Sequence, residues 1–189
     1  LGGKTGGTVT VSNAVVISGT TSQVTGALVT NDTKVTASSA LVTISDAGTT
    51  NIDATDLSAI GGKTGGAVTV SNAVNIQGNT AQVTAALVTD ETKVLAANAT
   101  VEISNDSTVA ELNALAPKAG VITGSIAATS LASLSGLATA GTDLITITVN
   151  DNAGDNLNAT DLSALGGKTG GTVTVSNAVN IQGNTAQVT

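Results

Sequence analysis

Residues 61–84 read GGKTGGAVTVSNAVNIQGNTAQVT, and residues 166–189 repeat them with one change, Thr172 standing where the first copy has Ala67. A third copy, residues 1–25, differs from residues 165–189 only at Val16, Ser18, Thr20 and Ser22. Self-similarity of this kind is the mark of a chain built by stacking one structural unit. Within the stretch, Val68, Val70, Val74 and Ile76 alternate with Thr69, Ser71, Asn75 and Gln77, which predicts two short strands with one apolar and one polar face.

Working outward, the glycine at Gly2 recurs at Gly61 and again at Gly166, the second interval being nearly twice the first. The longer interval holds a degenerate copy near its middle, where Lys118-Ala-Gly-Val-Ile-Thr-Gly follows Leu112-Asn-Ala-Leu. The long cycles therefore run over about 1–60, 61–116, 117–165 and, in part, 166–189. A shorter strand-like phrase recurs at Val15, Val42, Val74, Val101, Ile147 and Val179. Most neighbouring phrases lie roughly 30 residues apart, the length of one solenoid coil. Between strands the sequence signals short helices. Thr80 is placed as N-cap for 81–88, Thr108-Val-Ala-Glu111 forms a capping box, and Thr55 and Thr160 open segments that end at Gly61 and Gly166. The expected architecture is a β-solenoid, a parallel right-handed β-helix with a short helix on one side of each coil. It runs as a single array over 1–189 with about seven coils at the spacing of hydrogen-bonded strands. On this reading Val70, Val74, Ile76, Leu87, Val101, Ile103, Leu112 and Leu115 point inward.

The composition narrows the chemistry. His, Cys, Met, Trp, Tyr, Phe and Arg are absent, and thirteen acids face six lysines for a net charge of −7. Such a surface repels nucleic acid and has no aromatic platform for stacked bases. No apolar run is long enough for a membrane span. Without His or Arg, catalysis by paired acids has no supporting groups, and the chain reads as a non-enzyme.

GGKT invites comparison with a phosphate-binding loop. That motif needs glycine six residues before the lysine, where this chain has Leu57 and Leu162, so a turn allowing close backbone approach is expected instead. Asn13, Asn72 and Asn177 fall at strand corners, where side-chain amides bond to corner backbone. The calcium candidates are Asp151 and Asp155 in Asn150-Asp-Asn-Ala-Gly-Asp155, an oxygen-rich turn set against its solvated-turn reading. No other cofactor is indicated. Outward threonines such as Thr8, Thr10, Thr172 and Thr174 raise an ice-binding array, interrupted by Asn75, Gln77 and Glu102.

Where Asp53-Ala-Thr-Asp-Leu-Ser-Ala-Ile-Gly-Gly-Lys-Thr-Gly-Gly runs into Val68-Thr-Val, the chain resembles the Ala/Thr/Val-rich repeat regions of giant secreted bacterial cell-surface and extracellular fibre proteins, of the cyanobacterial type. The resemblance implies an extracellular or cell-surface location and a structural role. The expected function is a structural segment of a filament or surface fibre, stacking on itself end to end through its coils, with lateral packing as a second mode. An adhesin stalk or carbohydrate-binding module is the alternative, followed by a β-helix polysaccharide-active enzyme or an ice-binding protein. Leu1 is equivalent to Leu165 and Thr189 to Thr25, so the chain is expected to begin and stop within a longer array that continues or stacks.

Overall fold

The computed structural model describes residues 2–30 and 33–188, leaving aside the side chain of Asp90; the expectation placed on Leu1 and Thr189 lies outside the described residues. The first part of the chain alternates Val9–Thr10 (β1), Val16–Gly19 (β2), Thr21–Leu28 (α1), Val35–Thr36 (β3), Leu41–Ile44 (β4), Asn51–Asp53 (β5) and Ala54–Gly61 (α2). The middle part holds Val68–Val70 (β6), Asn75–Gly78 (β7), Thr80–Leu87 (α3), Val94–Leu95 (β8), Thr100–Ser107 (β9), Val109–Leu115 (α4), Val121–Ile126 (β10) and Leu131–Leu134 (α5). The last part holds Leu144–Val149 (β11), Asn156–Asn158 (β12), Ala159–Gly166 (α6), Val173–Val175 (β13), Asn180–Gln182 (β14) and Thr185–Val188 (α7).

The single β-solenoid, the parallel right-handed β-helix read from the sequence, is not the observed architecture. Strands and helices alternate in an α/β arrangement whose strands divide among several parallel sheets instead of closing into one coil. The sheets are β5-β7-β9-β10-β11-β13, β2-β4-β6-β8, β1-β3 and β12-β14. The cause is unequal content between successive segments. Residues 33–61 carry three strands and residues 116–134 only one, so β2 and β7, equivalent by sequence, fall in different sheets. The eight-residue helices α1, α2, α3 and α6 take as much of each segment as the strands do.

Pairing is local and parallel throughout the described strands, and its step along the chain is shorter than the recurrence of the strand-like phrase. Val9 pairs with Val35, Asn51 with Asn75, and Val101 with Ile122. The phrase at Val42 therefore stacks on Ile17 and Val68, not on Val15 and Val74. A parallel register of identical pleats places β-branched residues directly over one another, and burial follows from that stacking.

Helix starts are decided by side-chain acceptors. Thr20, Asn79 and Thr108 each cap a helix through a full capping box with Gln23, Gln82 and Glu111. The cap before α3 is thus Asn79 and not Thr80. Likewise α2 and α6 begin after Asp53 and Asn158, upstream of Thr55 and Thr160. The apolar stripes of α1 to α4, with Val24, Leu57, Ile60, Val83, Leu112 and Leu115, close onto the sheets in one thin aliphatic core. All eight residues expected to point inward, from Val70 to Leu115, are buried.

Ile76 is fully buried between Ile52 and Val101 on the neighbouring strands. Ile76→Ala is expected to lower stability by roughly 2–4 kcal/mol through lost burial and a cavity, read from urea unfolding. The same change at Thr69 on the exposed face should move it by less than about 0.5 kcal/mol.

Candidate functional site

The polar groups of this chain are concentrated where one segment meets the next. At the end of β4, Asp46 Oδ2 accepts from the backbone N–H of Thr21 at 2.6 Å and from its hydroxyl at 2.8 Å. Asn105 Oδ1 does the same for Thr80, at 2.7 and 3.0 Å. Asp151 Oδ2 accepts from Leu131 N at 2.8 Å. In all three an acceptor on the following segment caps the helix of the preceding one. The first-turn amides of a helix need such partners, and an ionised acceptor also complements the positive end of the helix dipole. Asn105 reaches its place because β9 bulges: Thr123 pairs with Glu102 but Ser125 pairs with Asp106.

This arrangement decides where the calcium candidates lie. Asp151 directs its carboxylate to α5. Asp155 Oδ2 accepts from Asn152 N at 2.9 Å and closes its own turn, in which Gly154 takes φ of +88°. The turn is braced by the next segment, since Asn177 Nδ2 donates to Asn150 Oδ1 at 2.9 Å and to the Asp151 carbonyl at 2.6 Å. The two carboxylates serve different backbone groups. Among the described residues no three acidic, His or Cys side chains gather as a metal site.

The GGKT threonines bond into the neighbouring backbone. Thr64 Oγ1 donates to the Ala40 carbonyl, and Thr169 Oγ1 lies 2.7 Å from the Ile145 carbonyl while accepting from Ile145 N at 2.9 Å. Both threonines are buried and Lys63 and Lys168 are exposed. The glycines admit the passing chain: a Cβ on Gly61 would strike the Thr92 carbonyl, and one on Gly66 the Ala40 carbonyl. The corner residue Asn72 donates to the Asp46 carbonyl at 2.6 Å, as Asn177 does to Asp151, so both bond to corner backbone.

One buried acid escaped the sequence reading. Asp143 accepts from Ile122 N and from Ala140 N, each at 2.8 Å, and so joins β10 to the turn before β11. Its only signal was an acid placed immediately before the alternating strand sequence Leu144–Val149. On the exposed face, Glu102 Oε2 accepts from Asn75 Nδ2 at 3.0 Å and Gln77 Nε2 at 2.7 Å. These two bonds hold the Glu102 carboxyl below the ordinary glutamate value, Asn75 contributing most. Glu111 is lowered too, first by the Thr108 backbone N–H and then by its hydroxyl.

Together these features define a parallel α/β stack whose side chains serve the joints between segments. No protein-family model, curated protein or solved structure matches the chain. No helix among the described residues is long and apolar enough to cross a membrane.

Removing the buried acid leaves two backbone donors unpaired, so Asp143→Ala should cost about 2–3 kcal/mol, against about 1 kcal/mol for Asp46→Ala, compared by urea denaturation. Because Glu102 and Glu111 titrate lower when folded than unfolded, their contribution is complete above the ordinary value near 4.5 and is lost as pH falls through their folded values. Thermal unfolding followed from pH 6 to pH 3 should show a falling midpoint, and Glu111→Gln should flatten the fall.

Proposed function

We propose that this chain is a structural segment of an extracellular filament or cell-surface fibre, in which strand-and-helix layers continue end to end. The observation that carries this reading is the unbroken parallel pairing of successive segments, which runs β5-β7-β9-β10-β11-β13 in one sheet and β2-β4-β6-β8 in another, with near-identical stretches recurring along it. The chemistry agrees: Asp46, Thr64, Asn105, Asp143, Asp151 and Thr169 are engaged in joining segments, which suits a mechanical role, and the resemblance to secreted surface-fibre repeats supplies the extracellular setting.

Antibody raised against the chain and used for immuno-electron microscopy of the source cells tests the reading. Label distributed along uniform extracellular fibres is expected. Label confined to the cell interior, or to compact particles, would overturn it.

A further inference from the structure

The helices α1, α2 and α3, each eight residues long, pack side by side, but α5 stops after four residues where its neighbour α6 has eight. The shortfall leaves a notch of about 370 Å³ between α5 and α6. Both of its walls are backed by further chain. Behind α5, Asn113 of α4 donates to the Gly136 carbonyl at 2.8 Å and accepts from Ala138 N at 2.7 Å. Behind α6, Gln187 of α7 donates to Thr160 Oγ1 at 2.9 Å. The notch therefore belongs to the joint between residues 131–137 and 156–168 and follows from the length of α5.

Two bonds align the walls. At one end Asp151, in the turn after β11, accepts from Leu131 N through Oδ2 at 2.8 Å; at the other, Thr139 Oγ1 donates to the Lys168 carbonyl at 2.7 Å. The two helices thus start together and finish together, and the charges lining the notch sort by end. Asp151 and Asp161, the latter in the first turn of α6, stand at the start, and Lys168 stands at the finish. Asp151 Oδ1 has no hydrogen bond among the described residues. Between the charged ends the lining is Leu131, Leu134, Leu157 and Leu165, all buried. At the rise of an α-helix, Asp161 and Lys168 are about 10 Å apart, too far to pair with each other.

We propose that this notch binds a small zwitterion of the ω-amino acid class, an aliphatic chain with an ammonium at one end and a carboxylate at the other. The ammonium donates to Asp151 and Asp161, the methylenes lie on the leucines, and the carboxylate accepts from Lys168. A concave site of this volume, apolar with a few polar groups at fixed places, is the ordinary form of a small-molecule site. An α-amino acid carries its two charges on one carbon and cannot reach both ends. An alkylamine or a fatty acid satisfies one end and lays its apolar terminus against the charge at the other. The assignment stands apart from the fibre reading and neither needs it nor opposes it.

The test is an NMR chemical-shift titration of the full chain with ω-aminooctanoate, γ-aminobutanoate, octylamine and octanoate. Saturable shifts confined to residues 131–137 and 156–168 are expected with ω-aminooctanoate, which should bind at least fivefold more tightly than the other three. Lys168→Gln should lower its affinity to that of octylamine while leaving octylamine unchanged. Asp161→Asn should weaken both amines and leave octanoate unchanged. Ala164→Leu and Ala132→Leu place bulk into the notch from exposed positions on opposite walls, and each should abolish binding with the urea unfolding midpoint retained. Absence of saturable binding, equal affinity for octylamine or octanoate, shifts spread along the whole chain, or full affinity in the two filled variants would each overturn the proposal.

Discussion

Everything in this molecule depends on the approach of each segment's backbone to the next at the distance of a parallel hydrogen-bonded ladder, about 4.8 Å. That spacing leaves no room for a Cβ where two chains pass at a corner, which is why Gly61 and Gly66 lie under the Thr92 and Ala40 carbonyls. It also stacks like on like. Val42, Val68 and Val94 succeed one another in one sheet, and Ile52, Ile76 and Val101 in another. The core is filled by Val, Ile, Leu and Ala without any aromatic residue.

A thin core buries little area per residue, so the joints between segments carry much of the specificity. Asp46, Asn105 and Asp151 cap helices that belong to the preceding segment, and Thr64 and Thr169 bond to backbone one segment away. Each such bond costs its full desolvation if the partner segment shifts by a residue, and the register is held accordingly. Asp143 extends the same logic into the interior, tying two otherwise distant amides with one carboxylate. These polar residues are thereby engaged in architecture.

Parts of this were legible in advance. Alternation at Val68–Ile76 and the stripes of Leu112 and Leu115 gave the inward positions, because a period of two or of three to four needs no knowledge of neighbours. The capping box at Thr108 and Glu111 is likewise local and self-contained. The surroundings of Asp151 and Asp155 were not legible, for the opposite reason. The turn holds oxygens close in sequence, but Asp151 answers to Leu131, on the segment before it, and no local pattern reports that.

The amino-acid sequence by itself determined which residues face inward, where chains must pass closely, and that reactive chemistry is scarce. Those properties follow from residue type and short-range periodicity. Only the tertiary structure decided the α/β arrangement with its several parallel sheets, and strand partners that lie closer along the chain than the recurring phrase implies. Strand partnership depends on how many strands each segment contributes, so stretches at equivalent positions of the repeat, such as 16–19 and 75–78, can join different sheets. Burial, too, belongs to the neighbour and not to the residue: Ile76 and Ile181 share one sequence context and differ only in what covers them.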